Sequence, residues 1–175
     1  IYFGRFCNLY ANGPYPEKKL KFTQEFEEGE EDFLFFSKVM IFEEIVDIFN
    51  RRQGKDERLH PLAKEINWIH HFEETRHLGF GREFVKVLWN SHRSKWSDHV
   101  LNRVRKTISD YIIATWKEYY NPKVYKDANL PDPFAIRKMA LSHPNCIKRR
   151  AEISKPLVQF LSKTKILPNA EELSL

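Results

Sequence analysis

Three successive stretches of this chain, from Glu31 to about Arg52, from Pro61 to about Asn90 and from Ser94 to Tyr119, repeat apolar side chains every three or four residues. That spacing is the period of the α-helix. Each stretch is long enough for about six turns or more, which points to packed long helices and away from a turn-rich β fold. In the first stretch Phe35, Val39, Phe42, Val46 and Phe49 form one face, while Ile41, Ile45 and Ile48 populate a second. A helix apolar over most of its circumference is expected at the centre of a bundle, and its Glu43, Glu44 and Asp47 then call for a reason. Gln53-Gly54 supplies the usual stop.

Pro61 opens the second helix in the first-turn position where proline is tolerated, and Gly79 and Gly81 predict a local irregularity within it. The third helix carries Trp96, Val100, Val104, Ile108, Ile112 and Trp116, and Asn121-Pro122 ends it. Pro131-Asp132-Pro133 marks a loop before a short helix to about Ser142. His143-Pro144 interrupts again, and a last helix over Asn145 to Leu161 should bend at Pro156. Upstream, the aromatic stretch Ile1–Tyr15 contains the breaker Asn12-Gly13-Pro14, and its first ten residues read as the tail of a helix; an acidic polar segment follows to Glu30. The expectation is an all-α bundle, with residues 1–175 forming a single helical domain.

Only 6 of the 175 residues are glycine, while aromatics make up 14%, enough for a core of bulky rings. The net charge of +5 and pI near 9.1 permit attraction to anions. The basic residues are scattered, with one tight run at Lys148-Arg149-Arg150, so no nucleic-acid partner is expected. Cys7 and Cys146 match no zinc or redox spacing and read as reduced thiols of a cytoplasmic protein. No run of ~18 apolar residues spans a membrane, and no signal peptide is visible. The chain starts at Ile1, from which a preceding segment is expected. No glycine-rich phosphate loop, serine nucleophile motif or Cys–His pairing occurs.

The chemistry concentrates on the second helix. His70, Glu74 and His77 stand at i, i+4 and i+7 and therefore share one helix face. Two imidazoles and a carboxylate aimed at one point form a ligand set for iron, manganese or zinc. Glu74-x-x-His77 matches the inward-facing Glu-x-x-His of ferritin-like di-iron bundles. A bare Glu-x-x-His is more often a solvated surface pair, but here His70 extends the same face. The preceding helix also offers Glu43 and Glu44 inside an apolar stretch, where an unpaired carboxylate is costly. An antiparallel hairpin would bring the two sets together; helical geometry alone leaves Glu43 and Glu44 both open as the fourth ligand.

Phe42-Glu43-Glu44-Ile45-Val46-Asp47, Asp56-Glu57-Arg58-Leu59-His60-Pro61-Leu62 and Ile69-His70 through Glu73-Glu74-Thr75-Arg76-His77 together resemble the p-aminobenzoate N-oxygenase family. Leu130-Pro131-Asp132-Pro133, His143-Pro144-Asn145 and the helix ending Phe160-Leu161 extend the likeness, which covers roughly Phe33 to Leu167. The resemblance implies a ferritin-like helical bundle that activates dioxygen at a di-iron centre and oxygenates an aromatic amine through hydroxylamine toward nitro, with an electron donor the sequence does not identify. It implies His70, Glu74 and His77 as metal ligands, with Glu43 favoured over Glu44 by the family's spacing to the first histidine. Two iron ions are the implied cofactor, with manganese as the alternative.

Such a bundle needs a further glutamate and a second Glu-x-x-His, and no Glu-x-x-His precedes Glu43. The chain is therefore expected to be the C-terminal half of its site, completed by a missing N-terminal half or by a homodimer partner. Another di-metal oxidase or oxygenase and a non-catalytic helical interaction domain are the competing readings. Asp47 stands either as a group that orients a ligand or as an i+4 ion pair with Arg51. Arg149 is a candidate for a substrate carboxylate, against the commoner solvated face. His71 and Glu73 lie off the ligand face, and His60, His92, His99 and His143 have no partners at ligand spacing.

Overall fold

A computed structural model describes residue 9 and residues 25–173. Apart from Leu9, the aromatic stretch at 1–15, with Cys7 in it, lies outside the described residues, as does most of the acidic segment after it. Within residues 25–173 six α-helices follow one another: α1 Glu30–Gln53, α2 Pro61–His92, α3 Asp98–Glu118, α4 Pro122–Asp127, α5 Pro133–Ser142 and α6 Pro144–Lys163, then a 3-10 turn at Ala170–Glu172. Among the described residues there is no strand, and no helix is long and apolar enough to cross a membrane. The fold is an all-α helical bundle.

Four helices start with the same local device. His60, Asn121, Asp132 and His143 each accept a backbone N–H from the first turn through their side chains, and each is followed by proline in the first turn. The cap satisfies an otherwise orphan donor, and proline has no N–H to orphan. His60 and His143 are thus helix caps. The short α4 was not expected from the sequence. Asn121-Pro122 does stop α3, but the same pair starts a new turn and a half of helix. α3 begins at Asp98 rather than Ser94, because Ser97 is its cap and accepts from Val100 N–H at 3.4 Å.

α1 and α2 pack along most of their lengths as an antiparallel hairpin, with α3 and α6 laid against α1. The order of contacts fixes the register. Phe36 meets Phe84 edge-on at 4.6 Å, Met40 faces Gly81, Asp47 meets His71, and Gly54 faces Trp68. α2 runs without a break through Gly79 and Gly81, correcting the expected irregularity. At Gly81 a Cβ would stand 3.6 Å from the Met40 Cβ, so this glycine marks the close approach of two helices. Pro156 likewise lies inside an unbroken α6.

The core gathers Phe33, Trp89 and Trp96, whose ring centroids stand 5.4, 5.6 and 6.0 Å apart, with Ile108, Ile112, Leu157 and Leu161. Trp116 Nε1 donates to Ser154 Oγ at 2.8 Å, joining α3 to α6. Burial of α1 is one-sided. Leu34, Ile41 and Ile45 are buried, whereas Phe35 and Val39 on the other face are exposed. The expectation of a helix buried all round is corrected: among the described residues the face bearing Phe35, Val39 and Glu43 lies at the edge of the bundle.

Candidate metal centre

On α2 the row Asn67, His71, Glu74, Leu78, Gly81, Val85 and Trp89, which meets α1 at His71, Glu74, Gly81 and Trp89, is a three-and-four repeat in which all are buried or half-buried. Glu74 occupies the middle of this seam and is only 8% exposed. A carboxylate in an interhelical seam is expensive unless partnered. Its partners are the flanking histidines, with Oε1 lying 3.5 Å from His70 Nε2 and Oε2 lying 3.1 Å from His77 Nδ1. Both imidazoles sit further out, and His77 is the more exposed. The helical spacing alone therefore collects these three groups.

Glu43 joins them from α1. Ligand-type atoms of Glu43, Glu74 and His77 all lie within 4.8 Å of one another. Burial, and next the nearby Glu74 carboxylate, push the Glu43 carboxyl above its ordinary value, while His77 and His70 pull the other way. Two carboxylates held this close repel, and a bound cation removes that repulsion. The donor set of two carboxylates and one imidazole, with His70 beside Glu74 and no thiolate, suits iron or manganese, so the residues present fit a metal of that kind. Glu43 sits in this group and Glu44 does not: Glu44 is buried and engages Arg82 across the hairpin. Adjacent residues on a helix point about 100° apart, and the rotation of α1 turns the second glutamate to a different neighbour.

The chain matches the family model described as p-aminobenzoate N-oxygenase AurF over residues 2–165. It belongs to that family. No curated protein and no solved structure matches the chain. Of the four residues picked from the sequence as metal ligands, Glu43, Glu74 and His77 are brought together across the α1–α2 hairpin; His70 lies outside that group and meets it at Glu74, 3.5 Å away.

Other sequence candidates fall elsewhere. Asp47 pairs with His71, Oδ1 to Nδ1 at 2.7 Å, rather than with Arg51. This pair was missed because it joins two helices, and no spacing within either helix announces it. Glu73 and His99 are exposed. His92 stacks near Trp96 at 6.1 Å. The basic run is divided: Arg149 is exposed, whereas Arg150 is buried and donates to Tyr120 Oη at 3.0 Å and to the Leu141 carbonyl at 2.7 Å.

Proposed function

We propose that this chain carries one half of the ligand set of a di-iron oxygenase that N-oxygenates an aromatic amine, with Glu43, His70, Glu74 and His77 as the ligands it contributes. The observation that carries the reading is the meeting of Glu43, from α1, with Glu74 and His77, from α2, within 4.8 Å, in a chain of the p-aminobenzoate N-oxygenase family. When bound, a pair of iron ions supplies the dioxygen chemistry that side chains do not offer.

The residues divide the work of holding such a pair. Glu74 directs one carboxylate oxygen toward His70 and the other toward His77, so these three groups would hold metal together. Glu43 adds negative charge from the facing helix, held partly out of water, where an ion competes well with solvent. Protons compete with metal for the same atoms, so binding weakens as pH falls. The second glutamate and the second Glu-x-x-His of a ferritin-like site come from further helices, either of a longer parent chain or of a second copy. Exposed Phe35 and Phe80 beside the ligand edge supply apolar surface for those helices or for an aromatic ring.

The test is metal content per chain after anaerobic loading with ferrous iron, in wild type beside His70→Ala and Glu74→Ala. Iron retained by wild type and lost from both variants supports the reading. No retention by wild type, alone or dimeric, defeats it for this chain. For the reaction, the loaded protein is given an aromatic amine, dioxygen and a reductant, and products are read by mass spectrometry. Gain of oxygen at nitrogen is expected; oxygen at ring carbon would place the chemistry in another oxygenase class.

A further inference from the structure

Asp47 and His71 occupy a position that the ligand set does not explain. Asp47 lies one helical turn beyond Glu43 on α1. His71 lies beside His70 and one turn before Glu74 on α2. Their side chains meet across the hairpin, His71 Nδ1 donating to Asp47 Oδ1 at 2.7 Å. Asp47 is buried and His71 largely so, and the His71 ring is braced by Trp68 at 5.5 Å. Further along α2, beyond Glu74 and His77, Arg82 engages Glu44. Two polar links between the same helices therefore flank Glu74 and His77 along α2.

Apolar packing alone holds two helices loosely in register, because a ridge of similar side chains can settle at neighbouring positions. A slip of one residue moves a helix by about 1.5 Å and turns the facing side chain by about 100°. A metal site tolerates only about 0.5 Å of misplacement. A buried polar pair has a single good register, and such pairs are best attested as devices that fix register rather than as sources of stability.

We propose that Asp47 and His71 are a positioning pair, setting the slide and rotation of α1 against α2 so that Glu43 meets the Glu74–His77 set. They are not ligands themselves. This rests on the metal-centre reading above.

The test uses cobalt(II) as the bound probe, since its visible absorption reports coordination as well as affinity, together with thermal unfolding of the metal-free chain. The double variant Asp47→Leu/His71→Phe removes both polar groups and leaves no unpaired buried charge. It is expected to stay helical with an unfolding temperature at or above that of wild type, while its cobalt Kd rises by about tenfold or more and its absorption changes. His71→Gln keeps an N–H donor for Asp47 and is expected to restore most of the affinity that His71→Phe loses. Should the double variant fail to fold, the comparison of His71→Gln with His71→Phe decides. Equal cobalt affinity and spectra in wild type and the double variant, or in that single-variant pair, overturn the positioning role alone. Absence of cobalt binding in wild type overturns the metal-centre reading and this inference with it.

Discussion

Removing the charge from Glu43 should make the metal-free protein more stable, not less. Its carboxylate approaches that of Glu74 to within 4.8 Å, and in the unfolded chain the two are far apart. At that separation Coulomb's law gives about 0.9 kcal/mol of repulsion in the dielectric of water and about 3.5 kcal/mol at an effective dielectric of 20. Glu74 is buried and Glu43 is half-exposed, so about 1–2 kcal/mol is expected after screening. Glu43→Gln and Glu74→Gln keep the shape of each side chain and remove one charge. Each should raise the urea midpoint in chelator at pH 8, with the unfolding temperature rising by about 2–4 °C per kcal/mol. Both variants relieve the same repulsion, so the double variant should gain no more than either single one, and the shortfall in additivity measures the coupling. Glu44→Gln provides the opposite sign, because Glu44 is the buried partner of Arg82; a loss of about 1 kcal/mol is expected there. Gains from Glu43→Gln and Glu74→Gln that simply add, or a Glu43→Gln variant no more stable than wild type, would refute the claim that these two carboxylates face each other.

Arg103→Ala should cost about 3–5 kcal/mol by urea unfolding, since it strands Glu30, which is fully buried and held by Arg103 Nε and Nη2 at 2.8 and 2.5 Å; replacing both residues by apolar ones of similar volume should recover most of the loss. Gly29 caps α1 with φ of 75°, and a Cβ there would stand 2.5 Å from the His92 ring. Gly29→Ala should therefore destabilise by at least about 1–2 kcal/mol, with His92→Ala in the same chain recovering only the steric part. Hydrogen bonds from Arg58 hold the Asp56 carboxyl at about 2, below its ordinary value of 3.8. Because the folded value is the lower one, the stability this pair contributes is present above pH 3.8 and is lost as pH falls toward 2; an NMR titration of the carboxyl carbon should follow it, and Asp56→Asn should remove that part of the acid limb.

Which elements form was legible in the sequence, because helix formation depends on neighbours in the chain. The three-and-four spacing of Val100, Val104, Ile108, Ile112 and Trp116 marks α3, and all five are buried. Proline and its capping neighbour at Pro61, Pro133 and Pro144 mark helix starts. α4 escaped because the pair Asn121-Pro122 both stops one helix and starts the next, and six residues are too few to show a period. The clustering of His70, Glu74 and His77 was legible for the same reason: three residues on one helix are placed by the helix alone.

Whatever required two helices was decided by the tertiary structure. Which of Glu43 and Glu44 meets Glu74 and His77 turned on the rotation of α1 about its own axis. That rotation is set by the approach of Met40 to Gly81, of Phe36 to Phe84 and of Asp47 to His71, contacts separated by tens of residues. Apolar residues cover most of α1 in the sequence, yet Phe35 and Val39 emerge at the edge and Leu34 and Ile41 inside. Hydrophobicity says that a side chain can be buried, and only the presence of a neighbouring element decides which ones are. The spacing of one helix places His70, Glu74 and His77 together; the approach of Glu43 to Glu74 and His77 belongs to the packing of the hairpin.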